Sequence, residues 1–79
     1  MLEVLMLTPE EVLYEGKAGK VILPGEMGVF EILEHHKRLV SRLFTGDLSI
    51  DRVTYPIRRG VGTVTKDKVT IIVETLSDK

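Results

Sequence analysis

The chain has 79 residues, which is enough for one domain with a modest hydrophobic core, and we expect residues 1–79 to form that single domain. Apolar residues make up 43% and charged residues 29%, as in soluble globular domains and unlike disordered chains. The formal net charge is -1 and the chain contains no cysteine, so disulfides and thiolate chemistry are excluded and there is no basic excess for nucleic-acid binding.

The first predicted strands lie on either side of a proline. Residues 2–7 and 12–15 are apolar enough for short strands, and Thr8-Pro9-Glu10-Glu11 stands between them. This tetrapeptide has two interpretations. It has the capping threonine, first-turn proline and glutamate of a helix start, and it also has the residue types of a tight turn between two strands. Local cues leave both interpretations open.

Short apolar segments separated by turn residues fill the rest of the chain. They cover residues 20–23, 28–33, 39–44, 48–50, 53–57, 61–64 and 69–73. Asp51-Arg52 and Thr65-Lys66-Asp67-Lys68 are predicted hairpin turns. Turn signals recur about every 8 to 12 residues, which is typical of a sandwich or barrel. The sequence therefore predicts an all-β domain.

The order of these segments resembles the N-terminal domain of the epsilon subunit of F-type ATP synthases. The residues that carry the resemblance are Thr8-Pro9-Glu10, Tyr14-Glu15-Gly16, 21–30 with its Pro24-Gly25-Glu26 and Gly28, His36, Leu39-Val40, Leu43, Gly46-Asp47-Leu48, 60–64 and 68–71. The resemblance implies a jelly-roll-like sandwich of two antiparallel sheets, with about eight to ten short strands. It also implies a strand–turn–strand around Pro9.

The resemblance implies a mechanical role. Such a domain is a non-catalytic rotor-stalk component with no cofactor, and it binds the gamma subunit and the c ring to couple rotation to ATP synthesis. It would be monomeric alone, would bind no nucleic acid, and would reach the cytoplasmic side of the membrane only through partner subunits. By position in the family's motifs, the gamma-facing residues are Thr8, His36 and Ser41. The c-ring-facing loop is Glu26, Met27, Gly28 and Val29. Glu26, Glu31 and Glu34 give this region acidic character, which would complement basic loops of the ring.

Three features depart from the family pattern. Val29 stands where the family often has an acidic residue. The family's Pro-Gly-His-Ala-Pro loop is replaced by Glu34-His35-His36-Lys37-Arg38, in which only His36 matches, so Glu34, His35, Lys37 and Arg38 form an altered interface loop. The family's C-terminal helical hairpin is also absent from the sequence, and its inhibitory and nucleotide-binding roles are not implied. These departures favour an alternative, a free-standing protein-interaction module on the same sandwich.

Other chemistries have weaker support in the sequence. Neighbouring histidines on a strand point to opposite faces, so His35 and His36 are poor joint metal ligands and we expect no metal site. Glu31 and Glu34 would also face opposite ways, so no catalytic residue is predicted. Nucleic-acid binding through the basic residues Lys37, Arg38, Arg42, Arg58 and Arg59 would need stacking aromatic side chains, which are few.

Overall fold

The computed structural model describes residues 1–34 and 37–75, and these residues confirm the all-β prediction. Within them there is no helix, and so none that could cross a membrane. The eight strands are β1 (Leu2–Leu7), β2 (Val12–Ala18), β3 (Val21–Gly25), β4 (Gly28–Ile32), β5 (Leu39–Leu43), β6 (Gly46–Ile50), β7 (Val53–Thr65) and β8 (Lys68–Thr75).

The strands form a continuous sheet that wraps into a sandwich. The strand order is β2-β1-β8-β7-β5-β3-β4, and β6 pairs with both β3 and β7. The 13-residue β7 takes part in both layers, because its first half pairs with β6 and its second half lies between β5 and β8. Among the described strands, β1 and β8 are the one parallel pair. The other pairs are antiparallel, as predicted.

The core follows from strict alternation along the strands. In β8 the buried and exposed residues alternate, with Val69, Ile71 and Val73 facing inward. In β1, Leu2, Val4 and Met6 do the same. Successive side chains of a strand point to opposite faces, so this pattern buries one apolar row per strand. No buried side-chain nitrogen or oxygen of the described residues lacks a hydrogen-bond partner.

The segment with two interpretations is a turn, and the helical alternative is wrong. The Thr8 hydroxyl oxygen accepts hydrogen bonds from the backbone N–H groups of Glu10 (3.2 Å) and Glu11 (3.1 Å), and the Thr8 N–H donates to the Glu11 carbonyl (2.8 Å). An isolated helix of this length would be marginal, whereas the turn lets β1 and β2 pair along their length. The same capping residues thus close a β-turn.

A second turn fixes the end of the sandwich where β3 begins. Asp51 lies in the β6–β7 turn with a φ of 53°, and its carboxylate accepts hydrogen bonds from the N–H groups of Gly19 (3.0 Å) and Lys20 (3.1 Å). The predicted hairpin at Asp51-Arg52 is confirmed. Because Ile50 pairs with Val21, the first residue of β3, this turn lies at the opposite end of β3 from the β3–β4 turn.

Candidate partner-binding surface

The four residues predicted to face a c ring form the exposed tip of the β3–β4 hairpin. The Met27 side chain is 100% exposed and Val29 is 72% exposed. Two glycines shape the tip. Gly28 has a φ of +117°, a conformation that favours glycine. A Cβ on Gly25 would lie 2.5 Å from the Phe30 ring, so only glycine lets the ring pack across the hairpin. The tip is therefore a defined shape that presents apolar side chains to solvent.

Strand β5 lies beside this tip and encloses a hollow with it. The contact begins where Gly25 pairs with Leu43 and the Phe44 N–H donates to the Pro24 carbonyl (2.8 Å). Beyond that point the hairpin turns back, and an open hollow of about 420 Å³ remains, lined by residues 26–30 and 39–41. Val40, on the β5 side, is 71% exposed. The predicted c-ring loop and the predicted gamma-facing Ser41 thus border one hollow.

The other predicted gamma-facing residues are not brought to this hollow by the described structure. Ser41 is half-buried there and its hydroxyl donates to the Arg42 carbonyl (3.0 Å). Thr8 is only 8% exposed and its hydroxyl is committed to the β1–β2 turn. His36, with His35 of the altered loop, lies outside the described residues. Among the predicted gamma-facing residues that the structure describes, Ser41 therefore lines the hollow and Thr8 lies in the β1–β2 turn.

The altered loop flanks the same region. Glu34 follows β4 and pairs with the N-terminal amino group of Met1, and Lys37 and Arg38 are exposed just before β5. Glu31 lies 3.7 Å from Lys20, measured from carboxylate oxygen to Nζ. Such exposed ion pairs contribute little stability, about 0–1 kcal/mol. Glu26, the third carboxylate expected to give this region acidic character, lines the hollow.

A second apolar surface was missed by the sequence reading. Phe44, Val61 and Ile72 are about half exposed and border a groove of about 520 Å³ on the outer face of β5, β7 and β8. Arg59 and Glu74 lie on its rim, with Arg59 Nε 3.2 Å from the Glu74 carboxylate. The sequence did contain one signal of this surface. Ile72 is apolar but stands at an outward-facing position of β8, where the alternation of apolar and polar residues would place a polar one.

Neither surface has the chemistry of an active site. Within residues 1–34 and 37–75, no three His, Cys, Asp or Glu side chains cluster as metal ligands. What the surfaces offer is exposed apolar area beside flanking charges, the composition through which proteins contact other proteins. The fold and surface define a small β-sandwich domain with two exposed apolar surfaces.

Comparison with known protein families identifies the family to which this β-sandwich domain belongs. The family model for the ATP synthase Delta/Epsilon chain β-sandwich domain matches residues 1–79. The chain belongs to this family, a family of non-catalytic stalk-subunit domains, and the epsilon resemblance read from the sequence is confirmed.

Relatives of known name agree with this assignment. The ATP synthase epsilon chain of Sulfurimonas denitrificans is 36% identical over 78 residues, covering 92% of this chain and 60% of the relative. The chloroplastic epsilon chain of Tetradesmus obliquus is 32% identical over 75 residues, covering 90% of this chain and 55% of the relative. The chain thus spans somewhat more than half the length of these relatives.

Solved structures share the fold. A chain in the Tetrahymena thermophila mitochondrial ATP synthase central stalk and c-ring structure superposes with a TM-score of 0.79 at 18% identity, over 92% of this chain and 63% of that one. A chain of the Euglena gracilis mitochondrial ATP synthase OSCP/F1/c-ring structure gives a TM-score of 0.83 at 18% identity, over 91% and 49%. The sandwich is therefore the same architecture despite low identity.

Proposed function

We propose that this domain is a central-stalk component of a proton-translocating F-type ATP synthase, where it binds the gamma subunit and the c ring and helps to couple rotation to ATP synthesis. The observation that carries the proposal is the single hollow bordered by the hairpin tip and β5, which joins the two segments expected to meet those partners. Membership of the ATP synthase Delta/Epsilon family supports the choice of ATP synthase as the complex. The domain would be peripheral to the membrane on the cytoplasmic side, attached through its partners.

The shared strand β7 and the packed hairpin tip suit a domain that transmits force and has no catalytic role. Both layers share β7, and the hairpin tip is braced by Phe30 packed over Gly25. A preorganised tip loses little conformational freedom on docking, so more of the contact energy is available for binding. Met27 and Val29 would contact the ring, and Ser41 with His36 would face gamma. Thr8 would act from a distance by holding the β1–β2 turn.

The experiment is a pull-down of the folded domain with purified gamma subunit and with purified c ring. Met27→Asp, at the fully exposed tip, is compared with the matched control Val53→Asp, which also replaces an exposed apolar residue but lies at the far β6–β7 turn. We expect the tip variant to lose c-ring binding at least tenfold while the control stays within twofold of the original chain. Failure of the original, folded domain to bind either partner would contradict the proposal.

The alternative, a free-standing interaction module, is favoured by one observation. The groove bordered by Phe44, Val61 and Ile72 is a second exposed apolar surface outside the hollow. If the domain binds neither rotor partner, this groove becomes the surface to follow, and Ile72→Asp is the variant that would disable it without touching the hollow.

A further inference from the structure

The two edges of β5 are paired to different extents. Residues 39–43 pair along their whole length with β7, but on the other side the pairing with β3 is confined to Gly25 and Leu43. In the part of the chain that the structure describes, the hollow-facing edge of residues 39–42 therefore has no strand partner. An unpaired edge presents backbone N–H and C=O groups that can pair with another chain.

The outward face of this strand has a specific order of side chains. Val40 and Arg42 are exposed at alternate positions of β5, so they share a face, and Arg38 is exposed immediately before the strand begins. With a rise of about 3.3 Å per residue, Arg42 lies about 7 Å along the strand from Val40. Neither arginine has an ion-pair partner among the described residues. Val40 is thus an apolar position bracketed by two available positive charges.

The acidic residues nearby do not cancel these charges. Glu31 pairs with Lys20, and Glu34 pairs with the N-terminal amino group. Glu26 is the remaining carboxylate among the residues lining the hollow. The exposed residues of β5 and the residue just before it are therefore apolar and basic.

We infer that the free edge of β5 receives an extended segment of a rotor partner whose side chains alternate as acidic–x–apolar–x–acidic. The inference rests on the proposed function, since it names the chemistry of the partner at that same hollow. Main-chain hydrogen bonds to the edge would supply the pairing. The apolar side chain would lie opposite Val40 and one carboxylate opposite Arg42, as favourable cross-strand pairs. The other carboxylate would approach Arg38 where the chain enters the strand.

The test measures binding of the domain to the assembled gamma–c-ring complex. The variants are the double reversal Arg38→Glu/Arg42→Glu, Val40→Asp, and the control Arg52→Glu at the far turn. We expect at least a tenfold loss of affinity for the first two and less than a twofold change for the control. Hydrogen exchange of the hollow-facing backbone amides in residues 39–42 should slow at least tenfold in the complex.

The outcomes separate the inference from the proposed function. If the original domain binds the rotor but the double reversal leaves affinity unchanged or raises it, the partner is not acidic and the inference is overturned while the function stands. Binding without slowed exchange at residues 39–42 overturns the strand pairing. If the folded domain does not bind the rotor at all, both the function and the inference fail.

Discussion

Two glycines on β7 provide a sharp test of the packing. A Cβ built on Gly60 would lie 2.4 Å from the Ile72 carbonyl oxygen and 3.0 Å from the Val73 Cα, both backbone atoms of β8. Two residues along, a Cβ on Gly62 would meet only side chains, at 3.5 Å from Leu23 Cδ1 and 3.8 Å from Leu43 Cδ1. The first position has no room for a methyl group, and the second has ordinary van der Waals space.

The expected effects have opposite signs. Gly60→Ala must push β8 away from β7, and overpacking of this kind costs about 1–3 kcal/mol. Because the obstructing atoms are backbone, we expect the upper part of that range, about 2–3 kcal/mol. Gly62→Ala should be neutral or should stabilise by about 0.4–1 kcal/mol, since alanine restricts the unfolded chain and fills space beside Leu23.

The assay is urea unfolding of the three proteins followed by circular dichroism. With an m value of about 1 kcal/mol/M for a domain of this size, Gly60→Ala should lower the midpoint by about 2–3 M at unchanged m. Gly62→Ala should unfold at or slightly above the midpoint of the original chain. Equal destabilisation by both substitutions, or a Gly60→Ala midpoint within 0.5 M of the original (about 0.5 kcal/mol), would refute the assigned contact between β7 and β8.

Three further predictions concern turns and the proposed interface. Thr8→Ala should cost about 1–2 kcal/mol, by loss of the hydroxyl that accepts two turn N–H groups, and Thr8→Ser should restore most of it in thermal unfolding. Asp51→Ala should cost about 2–3 kcal/mol through two lost hydrogen bonds and a left-handed φ, whereas Asp51→Asn should cost less than half as much by the same measurement. Replacing His36 and Ser41 together with bulky charged residues should weaken gamma binding at least tenfold without unfolding the domain, and unchanged affinity by calorimetry would remove both from the interface.

The sequence predicted correctly those strands in which apolar and polar residues alternate. The β8 run with Val69, Ile71 and Val73 shows its buried face directly, because side chains of a strand alternate. The Thr8 turn was locally ambiguous, because the hydroxyl and proline that begin a helix serve equally well to close a hairpin. The β1–β2 hairpin settles the conformation of this segment, and the pairing of β1 with β8, which is a long-range property, holds that hairpin in the sheet.

The candidate site depended still more on long-range contacts. The segment 26–29 was readable as an exposed loop from Pro24-Gly25 and Gly28. Its position beside Val40 follows from one pairing, Gly25 with Leu43, which links residues far apart in sequence. Charge pairing across the surface is also a property of the folded chain, since the sequence contains Glu31 and Lys20 but does not show that they lie 3.7 Å apart.

The most direct test of the central claim is site-specific crosslinking to the rotor. Because the chain contains no cysteine, a single introduced cysteine carries a photoreactive group at one chosen position. Labels at Met27→Cys and Ser41→Cys, on the two sides of the hollow, are compared with one at Arg52→Cys on the far turn. We predict that the label at position 27 crosslinks to the c ring and that the label at position 41 crosslinks to gamma. The label at position 52 should give neither product. Equal crosslinking from all three positions, or none from the two at the hollow, would contradict the assignment of this domain to the central stalk.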